Sequence, residues 1–456
     1  MKSFYNILFY TIPMLIIFTI VLLAYWPGIL VSDSMYQWDQ VQTGSFSDWH
    51  PAYNTIYIYL LTRIWNNPGF VIFIQCILLS LSMAFVLSRL EQYYNINKKY
   101  LLIVSILFSI IPLNYNFAVT LLKDTLYSAF ILLLTGLIID MINDCNFFKN
   151  FKKCFCLIIS FLLIVLFRHN GILVSLLTSF VLIIKYRKYK SIYIIFIAWL
   201  SIYLLLTTIG FKILNIQEGS YANKYGPISH VMARLLNTEY VNFSENDLKT
   251  LSNFVDVNQL KETFNPYNMD NSINTQNIEN LKSNSREYIK LAIKKFSEYP
   301  KELFKHYICL TSFLYSPIPF TGSSVFGMFV ETDLWEYSSK YPNCNEQSKI
   351  PFLLPILKKI TIIYQSENWD IITMRPAIYM YLSIAFIFIL YKIKKNKSLL
   401  LILLPSLFNT LSLAPAIPVF MTRYVYATML VFYFIFAWFI YEIFIFIKDK
   451  KNEGKI

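Results

Sequence analysis

The side chains in this chain that could do chemistry gather at the ends of its apolar runs. Asp33 and Asp39 lie in an acidic, aromatic stretch that follows Trp26, Pro27 and Gly28 at the close of the first run. Asp48, Trp49, His50 and Pro51 then open the next one. Proline suits the first turn of a helix, so Pro51 marks a helix start and places His50 at the same membrane face as Asp33. A carboxylate there can take a proton from a hydroxyl, with Asp33 the first candidate and Asp39 the second. The His50 imidazole can donate to a phosphate oxygen or orient a substrate. The plainer reading is capping. Asp48 or Ser47 would serve the helix after Pro51, and Asp33 a short helix over 34–42.

Four further stretches carry the same mixture of charge and position. Lys123 and Asp124 begin a long apolar run, and Asp124 reads equally well as a helix cap. Arg168, His169 and Asn170 precede Gly171 between two short apolar segments. A hairpin turn accounts for Asn170 and Gly171, but Arg168 has no topological reason to be there. Arg375 stands before Pro376 at the start of a span, and Arg423 and Tyr424 lie just inside the last one. Polar groups at that depth are costly in lipid and must face protein or a wet cavity, and arginine matches phosphate geometry. Asp48, Lys123, Asp124, Arg168, His169, Asn170, Arg375, Arg423 and Tyr424 are therefore the candidate substrate-binding residues, with a bound anionic lipid headgroup as the bland alternative. Carboxylates and arginines meeting on one face suit a substrate that is anionic, part lipid and part polar.

The elements that must position them are membrane helices. The chain has 456 residues, of which 56% are hydrophobic and 15% charged. A soluble domain averages about 25% charged, so this deficit cannot be spread over a wetted surface. Apolar segments run over 4–26, 53–65, 68–88, 99–117, 120–142, 154–167, 170–184, 191–211, 373–392, 398–414 and 420–447. The expected fold is an all-α polytopic membrane protein with about 10–11 transmembrane or re-entrant helices. Its parts are a module over 1–211 with the acidic external loop 27–52, a mostly helical extracytoplasmic segment 212–372, C-terminal spans over 373–447 and a basic tail 448–456. Net charge is +13, but the lysines and arginines sit in short clusters between spans, which reads as topology and not as nucleic-acid binding. The basic clusters 149–153, 185–190, 392–397 and 448–455 go inside, with both termini cytoplasmic, and loop 27–52, which has no Lys or Arg, goes outside. Loop 89–99 is also basic, which leaves 53–88 a single net crossing for two apolar segments. We therefore expect 53–65 to be re-entrant or too short to span, the alternative being that 89–99 is external despite its charge. The six cysteines show no metal-ligand spacing.

On the Asp33 loop, Asp48–Pro51, Lys123–Asp124, Arg168–Gly171 and Arg423–Tyr424, the chain resembles the membrane-embedded glycosyltransferases of the GT-C type, and more narrowly a bacterial branch of them. The resemblance takes in most of the spans and leaves out 212–372. It implies a polyprenyl-phosphate-linked sugar donor, an envelope glycan, lipid or protein acceptor, membrane lipids as neighbours, and no nucleic acid. It implies that an acidic residue of the first external loop, here Asp33, is the catalytic base, and that Arg168, Arg375 and Arg423 hold the lipid phosphate. Many members carry paired acidic residues in that loop, whereas this chain has Asp33, Ser34 and Met35. That departure leaves a divalent metal as an open cofactor rather than an expected one, and weakens the choice of Asp33 over Asp39. A polysaccharide polymerase or ligase, and a lipid-linked-sugar transporter or flippase, stay open as alternatives. A transporter would place ionisable groups at mid-span, and here they cluster at one face.

Overall fold

In the computed structural model the described residues are 2–219, 221–323, 325–332, 340–366, 369–415 and 417–453. They are helical throughout and pair as strands only in isolated bridges. Among them, six helices are long and apolar enough to cross a membrane. These are α1 (Lys2–Ala24), α4 (Pro68–Tyr94), α7 (Lys123–Asn143), α10 (Lys190–Leu205, carried on to Ile213), α19 (Pro376–Lys394) and α21 (Tyr426–Glu453). The chain is an all-α polytopic membrane protein. Large apolar side chains such as Ile194, Ile197 and Phe444 stay exposed, as a lipid-facing surface requires.

The other apolar segments are helical but shorter or broken. α2 (Ser32–Thr43) is followed by α3 (Ala52–Thr62), whose 11 residues reach only about 17 Å against a hydrocarbon core of about 30 Å. Between loop 27–52 and loop 89–99 α4 is the helix long and apolar enough to cross. Segment 99–117 is not one helix. α5 (Lys98–Ile110) and α6 (Pro112–Val119) meet at a 65° bend, because Pro112 cannot donate to the preceding turn. α8 (Phe151–Phe167) and α9 (Gly171–Lys185) form a hairpin. A Cβ on Gly171 would lie 2.1 Å from the Ile164 carbonyl oxygen, so the close approach of the two helices demands glycine.

The chain divides into two compact units, and the boundary differs from the expected 212–372. The first unit holds 1–217, 327–412 and 422–456, so 327–372 belongs with the membrane helices. There Asn116 bonds the backbone of Phe329 in both directions, at 2.6 and 3.0 Å, and Glu346 accepts from Trp26 Nε1 at 2.5 Å and Asn67 Nδ2 at 2.6 Å.

The second unit, 218–326 with 413–421, has its own apolar core. α11 (Tyr221–Leu236), α12 (Glu245–Ser252), α13 (Val257–Glu262), α14 (Asp270–Ile273), α15 (Ile278–Glu298) and α16 (Pro300–Tyr315) surround Met232, Leu251, Phe254, Leu260, Leu281 and Tyr288. Pro300 separates the last two helices, as its ring predicts. His230 and His306 are buried with ring centroids 4.8 Å apart. Burial pushes His230 down to about 4 and His306 to about 3, so both are neutral when folded and would titrate near 6.5 when unfolded. Stability from this pair is complete above about pH 6.5 and is lost as the pH falls toward those lower values. By pH 5 each histidine should cost the unit roughly 2 kcal/mol. Unfolding followed between pH 7 and 5 should show that loss, and His306→Phe should reduce it.

Candidate functional site

Two main-chain hydrogen bonds bring the first candidates together. The backbone after α1 is extended at Ile29, and the backbone after α6 is extended at Thr120. They pair in parallel, with Ile29 N–H donating to Val119 O and Leu121 N–H to Ile29 O, both at 2.9 Å. Gln75 of α4 holds the second segment, its amide donating to Ala118 O at 2.9 Å and Thr120 O at 2.7 Å. Each paired segment then turns into a helix, α2 on one side and α7 on the other. Asp33 and Lys123 fall in the first turns of those neighbouring helices, which sets them face to face.

The ion pair that results is the centre of the site. Asp33 Oδ2 accepts from Lys123 Nζ at 2.6 Å and from Arg423 Nη1 at 2.9 Å. Lys123 Nζ also lies 3.2 Å from His50 Nδ1. An ammonium only donates, so Nδ1 accepts and the imidazole proton is assigned to Nε2. The His50 ring stands edge-on to Tyr36 at 5.6 Å. Burial alone would raise the Asp33 carboxyl, but Lys123 and then Arg423 outweigh it and hold it well below the usual carboxylate range. Burial, reinforced by the Lys123 ammonium, pushes His50 down to about 3. At neutral pH the site therefore has an ionised Asp33 and a neutral His50.

Arg423 is aimed by a second layer. Asp124, one residue after Lys123, pairs with Arg168 Nη1 at 3.0 Å, and both side chains are buried. The Arg168 guanidinium lies 5.3 Å from the Tyr127 ring and 4.9 Å from the Tyr424 ring, and donates to Tyr424 O at 3.1 Å. Asn409 joins the same layer, accepting from Tyr127 Oη at 2.8 Å and reaching Tyr424 O at 3.4 Å. Arg168 was expected to hold substrate phosphate; here its Nη1 serves Asp124 and Tyr424 O, and its guanidinium lies against two tyrosine rings. It fixes the short 3₁₀ turn Thr422–Val425 that points Arg423 at Asp33. Tyr424 serves the same turn, and its hydroxyl lies 3.4 Å from Arg423 Nη2.

The remaining candidates are distributed around this centre. Asp48 does cap: its Oδ1 accepts from Ala52 N–H at 3.0 Å, while Oδ2 lies 3.3 Å from His169 Nε2. His169 is 55% exposed and Asn170 donates to Ser412 Oγ at 2.7 Å, so these two hold the α8–α9 turn against its neighbours. Asp33 and Asp124 do not cap, because their carboxylates are spent on cations. Asp39 is not part of the centre. Six residues after Asp33 on α2, it points elsewhere and meets Lys340 Nζ and Tyr341 Oη, each at 2.7 Å. Those two bonds outweigh its partial burial and hold it below its ordinary value. With Lys340 exposed to solvent, Lys340→Ala should barely change the melting temperature and leave any activity of the Asp33 site unchanged, checked by detergent melting and turnover. Arg375 is buried and, among the described residues, makes no hydrogen bond through its guanidinium and no contact with Asp33. Among the described residues no three His, Cys, Asp or Glu side chains converge as a metal-ligand group.

Lys123, Arg168 and Arg423 face Asp33 and Asp124, three cations against two carboxylates, so the centre carries a surplus of one positive charge. A model described as a family of unknown function, DUF6020, matches residues 11–301. The chain belongs to the DUF6020 family. The DUF6020 match takes in Asp33, His50, Lys123, Asp124 and Arg168, and stops short of Arg375 and Arg423. No curated protein and no solved structure matches the chain.

Proposed function

We propose that the chain is a membrane glycosyltransferase that moves a sugar from a polyprenyl-phosphate-linked donor to a cell-envelope acceptor on the extracytoplasmic face. The observation that carries this reading is the single carboxylate oxygen of Asp33 held by two cations beside a neutral imidazole. Asp33 takes the proton of the acceptor hydroxyl as that oxygen forms its bond to the sugar's anomeric carbon. The bond from that carbon to the donor phosphate breaks, and the phosphate oxygen keeps the electron pair. Lys123 and Arg423 neutralise the charge that develops there. His50, with its proton on Nε2, donates to a substrate oxygen. The outer-face assignment rests on the acidic loop 27–52, which carries the site, and on the basic loops at the opposite ends of the spans. Both termini then lie in the cytoplasm.

The test is to incubate the purified protein with a panel of polyprenyl-phosphate sugars and candidate acceptors and follow release of free polyprenyl phosphate. Release by the wild type that is lost in Asp33→Asn is the expected result. Release that survives in Asp33→Asn removes Asp33 as the base. Uptake of a lipid-linked sugar across vesicles without release would move the function to transport.

A further inference from the structure

Among the described residues Arg375 is a charge with no hydrogen-bond or ion-pair partner. Its side chain is 1% exposed, and Nε, Nη1 and Nη2 make no hydrogen bond. Asp370 acts on it through space only, without forming an ion pair. An arginine cannot escape burial by giving up its proton, so a guanidinium in this state calls for an anion. Arg375 also caps α19, whose 19 residues and first-turn N–H groups favour negative charge at that end.

An apolar groove lies against the same stretch of chain. It has a cavity volume of about 450 Å³, and its walls include Ile111 at the α5–α6 bend, Ile363 and Tyr364 of α17 (Leu354–Tyr364), Ile372, and Tyr379 of α19. Thr373, two residues before Arg375, also lines it. Tyr379, one turn after Arg375, ties the groove wall together by donating to Ile372 O at 2.7 Å. Arg375 is thus bracketed by wall residues on both sides in sequence. Arg375 is not itself a wall residue, but it places a buried cation within one helical turn of an apolar slot in a membrane protein, a pairing that suits an amphiphile with an anionic head.

We propose that this is the site of a resident anionic phospholipid, with its headgroup phosphate on Arg375 and one acyl chain in the groove. A reacting lipid would need its phosphate beside Asp33, whereas Arg375 touches neither Asp33 nor Lys123 nor Arg423. The residues next to the two arginines do touch, Thr422 Oγ1 lying 3.4 Å from Met374 Sδ. An unpaired charge that is always buried calls for an occupant that always stays. The inference is independent of the transferase reading, because binding is measured without turnover.

The experiment uses the full chain, delipidated in detergent, with thermal unfolding and native mass spectrometry as readouts. Phosphatidylglycerol should raise the unfolding midpoint of the wild type by several degrees and of Arg375→Met by none. One phospholipid should be retained by the wild type and lost from the variant. Ile363→Trp keeps the cation and fills the groove, and should reduce the phosphatidylglycerol shift to that given by inorganic phosphate. Inorganic phosphate giving the whole shift in the wild type would reduce the site to a free-anion site and overturn the lipid. Farnesyl phosphate displacing phosphatidylglycerol would make the groove part of the donor's path and overturn a resident occupant. A lipid-free Arg375→Met that melts below the lipid-free wild type would show that the charge already has an internal partner.

Discussion

Asp33→Asn is expected to abolish turnover while tightening the site's hold on anions. The substitution keeps the shape of the side chain and removes its basicity, which for a positioned general base is worth about 10²–10⁴-fold in rate. It also releases Lys123 and Arg423, whose bonds to Asp33 Oδ2 at 2.6 and 2.9 Å now compete with any incoming phosphate. An anionic donor analogue should therefore bind the variant more tightly than the wild type, and equilibrium binding beside single-turnover kinetics separates the two effects. Weaker binding together with lost turnover would mean that Asp33 holds the fold and not the proton. The pH dependence has a definite sign. Because Asp33 titrates well below the usual carboxylate range, it stays ionised from neutral pH down past pH 4, and kcat/KM should show no acid limb from it there. Once the donor phosphate draws Lys123 and Arg423 away, the carboxyl recovers basicity, so any acid limb belongs in kcat.

Breaking the second layer should unfold the site. Arg168→Met leaves Asp124 buried without its 3.0 Å partner, and removing one member of a buried pair costs about 3–5 kcal/mol. The double change Arg168→Met with Asp124→Leu removes both charges and should recover most of that loss, since a buried pair replaced by apolar side chains is often nearly neutral. Detergent melting of the single and double variants measures the difference. Recovery of stability without recovery of turnover would place Arg168 in aiming Arg423. Recovery of both would leave the pair no role beyond packing.

The sequence was informative wherever the signal was local. Long apolar runs gave the spans, and the apolar stretch 53–65 proved a helix of only 11 residues, too short to cross by length. Asp33, His50, Lys123 and Arg423 converge because each lies next to an apolar run that ends at the same face. What could not be read was any assignment that depends on distant chain. Asp39 was a rival base until Lys340 and Tyr341, some 300 residues away, took its carboxylate. Arg168 carried the charge of a phosphate binder, yet its contacts with Asp124, Tyr127 and Tyr424 depend on two other elements, α7 and the distant 3₁₀ turn. Asn409 gave no signal at all, as an amide in an apolar run commits to no partner until the helices pack. The split of 212–372 was hidden for the same reason, since its last third is held by Asn116, Trp26 and Asn67 from the N-terminal half.

The pairing of Ile29 with Val119 and Leu121 has a consequence for how this site can vary. Main-chain atoms alone set the register of Asp33 against Lys123, so the side chains at 29 and 121 can drift through many apolar identities without moving the charges. Proline is the change that the pairing forbids at both positions, because each spends its N–H on the other segment. The geometry of the centre is thus inherited through backbone pattern and the lone amide of Gln75, and sequence divergence around it need not register as functional divergence.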